Sequence, residues 1–364
     1  MAKILFLILS ILAAGILSAA PNYWTGANGT EMARVGDAGN SAYSSETSLY
    51  NGHGSVDYDY SIGKYEVTVS QYMNFIQSFG SNAYVSMSET SDPLNVMLKT
   101  DIGDVTIYSG FSHQPNVIAY DQETGQYSVI NNQGQTPITY VSAIAGALYA
   151  NWLTNGAVAG ADCLTGVYDF KTYGFTADAL KNADRRAGGY MLCSVDEWIK
   201  AGYYSPELNG GEGGYYTFAT QSDSAPTPSL PTTEANTANI ASKNYNDAAH
   251  SKFTDVGSYS NSASYYGTFD QEGNASEWTD TAYPEGGMIA IPEGVVISGI
   301  SATTTVGDNT GIDVTLLLDG NKVDASGVWS GLRMVYTEVI PEPSAYAVLF
   351  GALALGFIVF QRRK

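Results

Sequence analysis

Positive charge is scarce in this sequence. Its 364 residues carry 16 Lys plus Arg against 36 Asp plus Glu, a formal charge of -20 at pH 7. A surface of that sign repels phosphate backbones and anionic lipid, which counts against nucleic-acid binding. Cysteine is nearly absent: Cys163 and Cys193 are the only two, so one disulfide at most can form. The histidines His53, His113 and His250 lie far apart without ligand spacing, and a zinc site built on His or Cys has no support. No nucleophile elbow or diagnostic carboxylate pair is found, which removes the serine-hydrolase and glycosidase readings. No repeat of solenoid or propeller length is visible. What the chain has instead is Gly (39), Tyr (27) and many Ser, Thr and Asn, with only 14% charged residues. That balance suits a loop-rich extracytoplasmic protein.

The two ends read as addresses. Residues 1–20 join a positive start at Lys3, an apolar run from Ile4 to Leu17 and the small exit Ser18-Ala19-Ala20, the pattern of a secretory signal. Near the other end, residues 345–360 are uncharged and precede Arg362-Arg363-Lys364, which the positive-inside rule holds on the cytoplasmic side. Sixteen helical residues reach about 24 Å, a marginal transmembrane helix. Just before it stands Pro341-Glu342-Pro343. The tripeptide, apolar helix and basic end together resemble a PEP-CTERM sorting signal of bacterial surface proteins, over residues 337–364. The resemblance implies an exosortase-type protease as partner, membrane attachment through the helix before processing, and a surface or extracellular location afterwards; a simple tail anchor is the alternative. Removing residues 1–20 and everything from Pro341 onward takes Lys3, Arg362, Arg363 and Lys364 from the bases and Glu342 from the acids, leaving 12 against 35, a charge of -23.

Between them the pattern is α+β, irregular, with few helices. A strand-like run, Tyr60 to Val67, leads to Thr68 or Ser70 as cap of a helix with Val69, Tyr72, Met73 and Ile76 on one face. Gly80 to Thr136 reads as short strands and loops, a surface insertion. Pro137 to Val141 is strand-like, and Ser142 caps a second helix carrying Ile144, Ala147, Leu148, Asn151 and Trp152. Ser194-Val195-Asp196-Glu197 is a capping box that opens a third. Gly210 to Gly214 and Ser222 to Thr233 are loops, and Val295 to Leu318, rich in Val, Ile and Thr, reads as strands.

Several segments in order resemble the formylglycine-generating enzyme family, also called sulfatase-modifying factor domains. They are Ile62-Gly63-Lys64-Tyr65-Glu66-Val67-Thr68 with Gln71-Tyr72 and Phe75; Pro137 to Trp152; Tyr190 to Trp198, with Met191 and Cys193 where the family has Arg and Pro; Val256 to Thr279 with Gly273-Asn274-Ala275-Ser276-Glu277-Trp278; and Gly331-Leu332-Arg333. The resemblance covers residues 55–336, with 21–54 as an N-terminal segment leading in. It implies an irregular, loop-rich α+β fold related to C-type lectins.

The family's oxidases convert a sulfatase cysteine to formylglycine with copper held by two cysteines after the Glu-Trp motif. Here no cysteine follows Trp278, and soft Cu(I) needs thiolate or thioether ligands. The copper cofactor is therefore not expected, nor are catalytic residues assigned. The resemblance does imply structural calcium. One site would use the side chains of Asp270 and Glu277 and the carbonyls of Gly273 and Ala275; a second would use Asn239, Ile240, Asp247 and Ala249. Calcium takes six to eight oxygens from such loops; a solvated acidic turn is the alternative at the first. Cys163 and Cys193 are either a disulfide or two buried thiols. The expectation is a catalytically diverged module that binds an exopolysaccharide or a surface protein, the alternative being an oxidase or other metal-dependent enzyme with rearranged ligands.

Overall fold

The computed structural model describes residues 22–46, 48, 51–86, 94–110, 117–242, 253–282, 295–298, 305–306 and 330–339. The signal-like segment 1–20, the apolar segment 345–360, and Asp247 and Ala249 of the second calcium set lie outside them. Among the described residues no helix is long and apolar enough to cross a membrane.

In chain order the elements are β1 (Tyr23–Thr25), β2 (Glu31–Val35), β3 (Tyr60–Gly63), α1 (Val69–Ser78), β4 (Ala83–Ser86), β5 (Asn95–Thr100), β6 (Gly103–Ser109), β7 (Ile118–Asp121) and β8 (Gln126–Val129). Then come α2 (Ala143–Thr154), α3 (Phe170–Tyr173), α4 (Ala177–Lys181), β9 (Gly189–Leu192) and α5 (Val195–Tyr203). The two-residue strands β10 (Tyr204–Ser205), β11 (Gly214–Tyr215), β12 (Thr227–Pro228), β13 (Thr237–Ala238) and β14 (Ala241–Ser242) follow. Last are β15 (Ser276–Ala282), β16 (Val295–Ser298), β17 (Thr305–Val306), β18 (Ser330–Gly331) and β19 (Met334–Thr337). The fold is α+β, rich in short strands and loops.

The main sheet runs β1-β2-β3-β19-β9, antiparallel throughout. The late strand β19 sits between β3 and β9, so the two ends of the domain close one sheet. Tyr23 to Val35, read from sequence as a lead-in, supplies two of its strands. The stretch after Gly80, expected as a surface insertion, is a three-stranded antiparallel sheet, β4-β5-β6, and the hairpin β7-β8; it is not superficial, since Val96, Ile107 and Ile118 are buried in the core. Pro137 to Val141 forms no strand; Pro137 makes one bridge with Thr68, and the Ile138 amide donates to the Val67 carbonyl at 2.8 Å. Its extended backbone is used to tie the start of α1 to the core.

Three helix starts follow their local chemistry. Thr68 Oγ1 accepts from the Gln71 amide at 3.2 Å while Gln71 Oε1 accepts from the Thr68 amide at 3.0 Å. Ser194 and Glu197 form the same reciprocal box on α5, at 3.1 and 2.7 Å, and Ser142 Oγ accepts from the Ala145 amide at 3.1 Å. Each satisfies amides that the first helical turn leaves without partners. Helix α2 is buried on every side from Ala143 to Leu153, as a helix apolar all round must be. It lies so close to β9 and the chain before β19 that a Cβ on Gly146 would come 2.5 Å from Leu332 Cδ2. Tyr72, Phe75, Tyr149 and Trp152 join α1 to α2, with ring centroids 5.3 to 5.7 Å apart.

Candidate functional site

The described residues named from sequence, Asn239, Ile240, Asp270, Gly273, Ala275 and Glu277, lie where the loop 269–275 enters β15. At its start β15 pairs with β18 in parallel, Glu277 opposite Gly331. Two residues past β18, Arg333 turns its guanidinium onto Glu277: Nε lies 3.0 and 2.9 Å from Oε1 and Oε2, and Nη2 lies 2.7 Å from Oε1. Trp198 Nε1 of α5 donates to Glu277 Oε2 at 2.6 Å. The remaining Arg333 donors reach the carbonyls of Gly63 (2.9 Å) and Phe269 (2.8 Å). Both side chains are buried. Burial works against the Arg333 charge, and Glu277 overrides it, holding the guanidinium above its ordinary value.

A second carboxylate, Glu66, closes the loop from the other side. It accepts from the Ala275 amide at 2.9 Å and from Asn274 Nδ2 at 2.8 Å. Burial first, then the neighbouring Asp270 and Glu277, push its pKa well above the ordinary value. Asp270 Oδ2 accepts from the Gly257 amide at 2.6 Å, and burial raises its pKa to about 6 against the pull of that amide and of Arg333. Three carboxyl groups thus stand near one guanidinium: Glu277 pairs with it, burial drives Glu66 toward its neutral form, and Asp270 is left as a buried carboxylate without a cation of its own.

The loop geometry requires its small residue. Gly273 has φ +114, and a Cβ there would stand 2.6 Å from the Asn239 carbonyl oxygen. The Asn274 amide donates to that carbonyl at 3.0 Å, while Asn239 Nδ2 and the Thr254 amide both donate to Asn274 Oδ1 at 3.0 Å. The described halves of the two expected calcium sets, Asn239-Ile240 and Gly273-Ala275, are therefore neighbours, joined through Asn274. Asn274 and Glu66 stand inside the segments that carry the resemblance, but their roles depend on contacts made across the chain and have no local signal in the sequence.

The donor set suits a hard cation in type: one carboxylate, Asp270, and carbonyls of a tight loop. Glu277 is the exception, since Arg333 and Trp198 engage both of its oxygens. Among the described residues no three His, Cys, Asp or Glu side chains converge on a metal-sized point, so an ion here would depend on backbone oxygens.

A second charged network lies at the far side of α5. Arg185 Nη1 donates to Glu197 Oε2 at 2.6 Å and its Nη2 to Asp280, while Tyr58 and Tyr168 donate to Glu197 and Asp280 at 2.8 Å each. Glu197 is thus both a helix cap and an ion-pair partner. Asp280 and Arg185 came from stretches without a recognisable pattern, and only the fold brings them together.

Both cysteines are free and buried. Burial raises the Cys163 thiol to about 12, and burial together with Glu277 and Glu197 holds Cys193 well above its ordinary value. Cys193 Sγ donates to the Arg333 carbonyl at 3.2 Å. Burial thus works against the thiolate form of both.

A family model described as "Sulfatase-modifying factor enzyme 1-like domain" matches residues 30–337. Similar solved structures include CarF, 18% identical over 85% of this chain and 99% of that one, with a TM-score of 0.47. PvdO from Pseudomonas aeruginosa is 14% identical over 88% and 99%, TM-score 0.45. Treponema denticola variable protein 1 is 18% identical over 87% and 99%, TM-score 0.46. No curated protein matches the sequence.

Proposed function

The chain belongs to the sulfatase-modifying factor enzyme 1-like domain family, and from that premise we propose that it is an exported, envelope-sorted binding or surface-structural module, catalytically diverged and stabilised by calcium. The observation that carries this reading is the state of its thiols. The two cysteines precede Trp278 in the sequence and both are free and buried, with burial raising each thiol's pKa, whereas copper chemistry of the oxidase type uses accessible thiolate. The test is incubation with copper, oxygen and a Cys-x-Pro-x-Arg peptide, followed by mass spectrometry. Unchanged peptide is expected; formylglycine would overturn the reading in favour of an oxidase with rearranged ligands.

Calcium would be held by Asp270 and the carbonyls of Gly273 and Ala275, offsetting the charge of Asp270. Glu277 would join only by exchanging a bond to Arg333 or Trp198 for the ion. Asn239, Ile240, Asp247 and Ala249 form the second proposed set. An ion bound only by the folded state stabilises it, so excess chelator should lower the melting temperature at neutral pH and calcium should restore it. Asp270→Asn should shrink that response, leaving only the share carried by the second set. No change with chelator removes calcium from the account.

The pattern of residues 1–20 supports export, and the Pro-Glu-Pro tripeptide, apolar helix and basic end support sorting by an exosortase-type protease. Mass analysis of the chain recovered from cells checks both cleavages. The partner class consistent with a Tyr-, Ser- and Gly-rich surface is an exopolysaccharide or another surface protein, because such residues make adaptable contacts at low entropic cost.

A further inference from the structure

A cleft of about 770 Å³ opens beside the main sheet, between the end of β2, the run into β3 and the residues after β19. Its volume lies within the range of small-ligand sites, roughly 300 to 1,000 Å³. It lies apart from the Glu277-Arg333 cluster and meets the Arg185-Glu197 network through Tyr58.

Its walls join flat rings to charges of both signs. Trp24 and Tyr336 meet edge to face with centroids 5.2 Å apart, and Tyr190 also packs on Tyr336, at 5.0 Å. Trp24 Nε1 is tied to Ser61 Oγ at 3.0 Å. A third ring, Tyr58, is pinned by its hydroxyl to Glu197. The rings are thus fixed in place before any ligand arrives, which lowers the entropic cost of binding.

The arginines are distributed unevenly. Between residues 22 and 339 the chain has four. Arg185 and Arg333 are committed to ion pairs with buried carboxylates, and the other two, Arg34 and Arg186, both line this cleft. Arg34 is exposed, and its guanidinium has no partner among the described residues. Arg186 meets Asp57 only loosely, at 3.6 Å. The alternation of the run into β3 buries Val56 and Tyr60 and leaves Asp57 and Asp59 in water, where both line the cleft.

We propose that this cleft binds a neutral oligosaccharide. A pyranose ring offers a C–H face to an aromatic ring, and each hydroxyl both donates and accepts, so a row of them satisfies carboxylates and guanidiniums together. Asp57, Asp59 and Glu338 outnumber the two guanidiniums, which disfavours a uronate. The inference rests on the binding-module reading and names its site and ligand class.

The test is a glycan array of neutral and uronate hexose oligosaccharides probed with the full-length chain. Neutral oligosaccharides should be retained, with at least tenfold loss in Arg34→Ala and in Asp59→Asn. These side chains are exposed, so their unfolding midpoints should match the wild type; Trp24→Phe, which keeps a ring but loses the indole, provides a milder third variant. Saccharide binding that all three leave unchanged, preference for uronates, or no retained saccharide would each overturn the proposal. None of these produces formylglycine from the peptide, the result that sinks the underlying reading, so the two failures are separable.

Discussion

Replacing Arg333 with Met probes the centre of the fold directly. The substitution keeps most of the apolar stem and removes a guanidinium that reaches Glu277, Gly63 and Phe269. Glu277, 1% exposed at the side chain, would keep only the Trp198 indole. Breaking a buried pair by removing one partner costs about 3–5 kcal/mol, because the other charge stays buried and unpaired. The two carbonyls that lose a donor add to that, at about 1–3 kcal/mol each unless water reaches them. Urea unfolding followed by tryptophan fluorescence measures the loss. The companion variants are Glu277→Gln and the double Arg333→Met/Glu277→Gln. If the pair is the source of the loss, the double variant should be less damaged than the sum of the singles, with a coupling of about 0.5–3 kcal/mol. Additive losses would refute the reasoning, and so would an Arg333→Met loss below about 1 kcal/mol. Repeating the series with calcium adds a second outcome: if Glu277 can turn to the ion, calcium should reduce the Arg333→Met loss.

Burial lowers the Lys200 pKa from 10.5 to about 8, and its ammonium donates to the Asp37 carbonyl at 2.8 Å. The unfolded chain therefore binds the proton more tightly than the folded one between those values, and stability should rise as pH climbs from 8 toward 10.5. Lys200→Met should flatten that rise, with its stability relative to wild type falling from pH 7 to pH 9.5 in chemical denaturation; a pH-independent difference would count against the burial argument. Gly146→Ala should destabilise by about 1–3 kcal/mol through overpacking against Leu332, read from the urea midpoint. Thr68→Ala should cost about 1 kcal/mol by loss of the α1 cap. A maleimide should modify neither cysteine in the native chain and both after unfolding without reductant, whereas a disulfide would leave both unmodified in each state.

What the sequence disclosed and what it concealed divide along the distance between partners. The caps Thr68, Ser142 and Ser194 bond three residues ahead, so residue type and spacing carry the whole interaction. Helix α2 could be read from its spacing, but its burial on every side follows from β9 and Leu332, which arrive later in the chain. Pro137 to Val141 has the composition of a strand, yet the Val67 and Thr68 backbone it meets leaves room for a single bridge, and composition alone cannot count partners. Tyr23 to Val35 is broken by glycines into pieces too short to show a period, and pairing with β3 at Tyr60 to Gly63 is what makes strands of it.

The same division governs the site. Asp270 to Glu277 looks like a ligand loop because calcium and guanidinium ask for similar things, anionic oxygen and exposed carbonyls near a glycine. Which cation a carboxylate serves depends on what stands opposite, and Glu277 meets Arg333 across 56 residues while Glu66 meets the Ala275 amide across 209. The fold assigns Glu277 a protein cation and leaves Glu66 and Asp270 without one of their own. Any calcium stabilisation must therefore draw mainly on Asp270 and the loop carbonyls. In the chelator experiment Asp270→Asn should remove the part of the calcium response that this loop carries, and Glu277→Gln should lower stability while leaving much of that response in place.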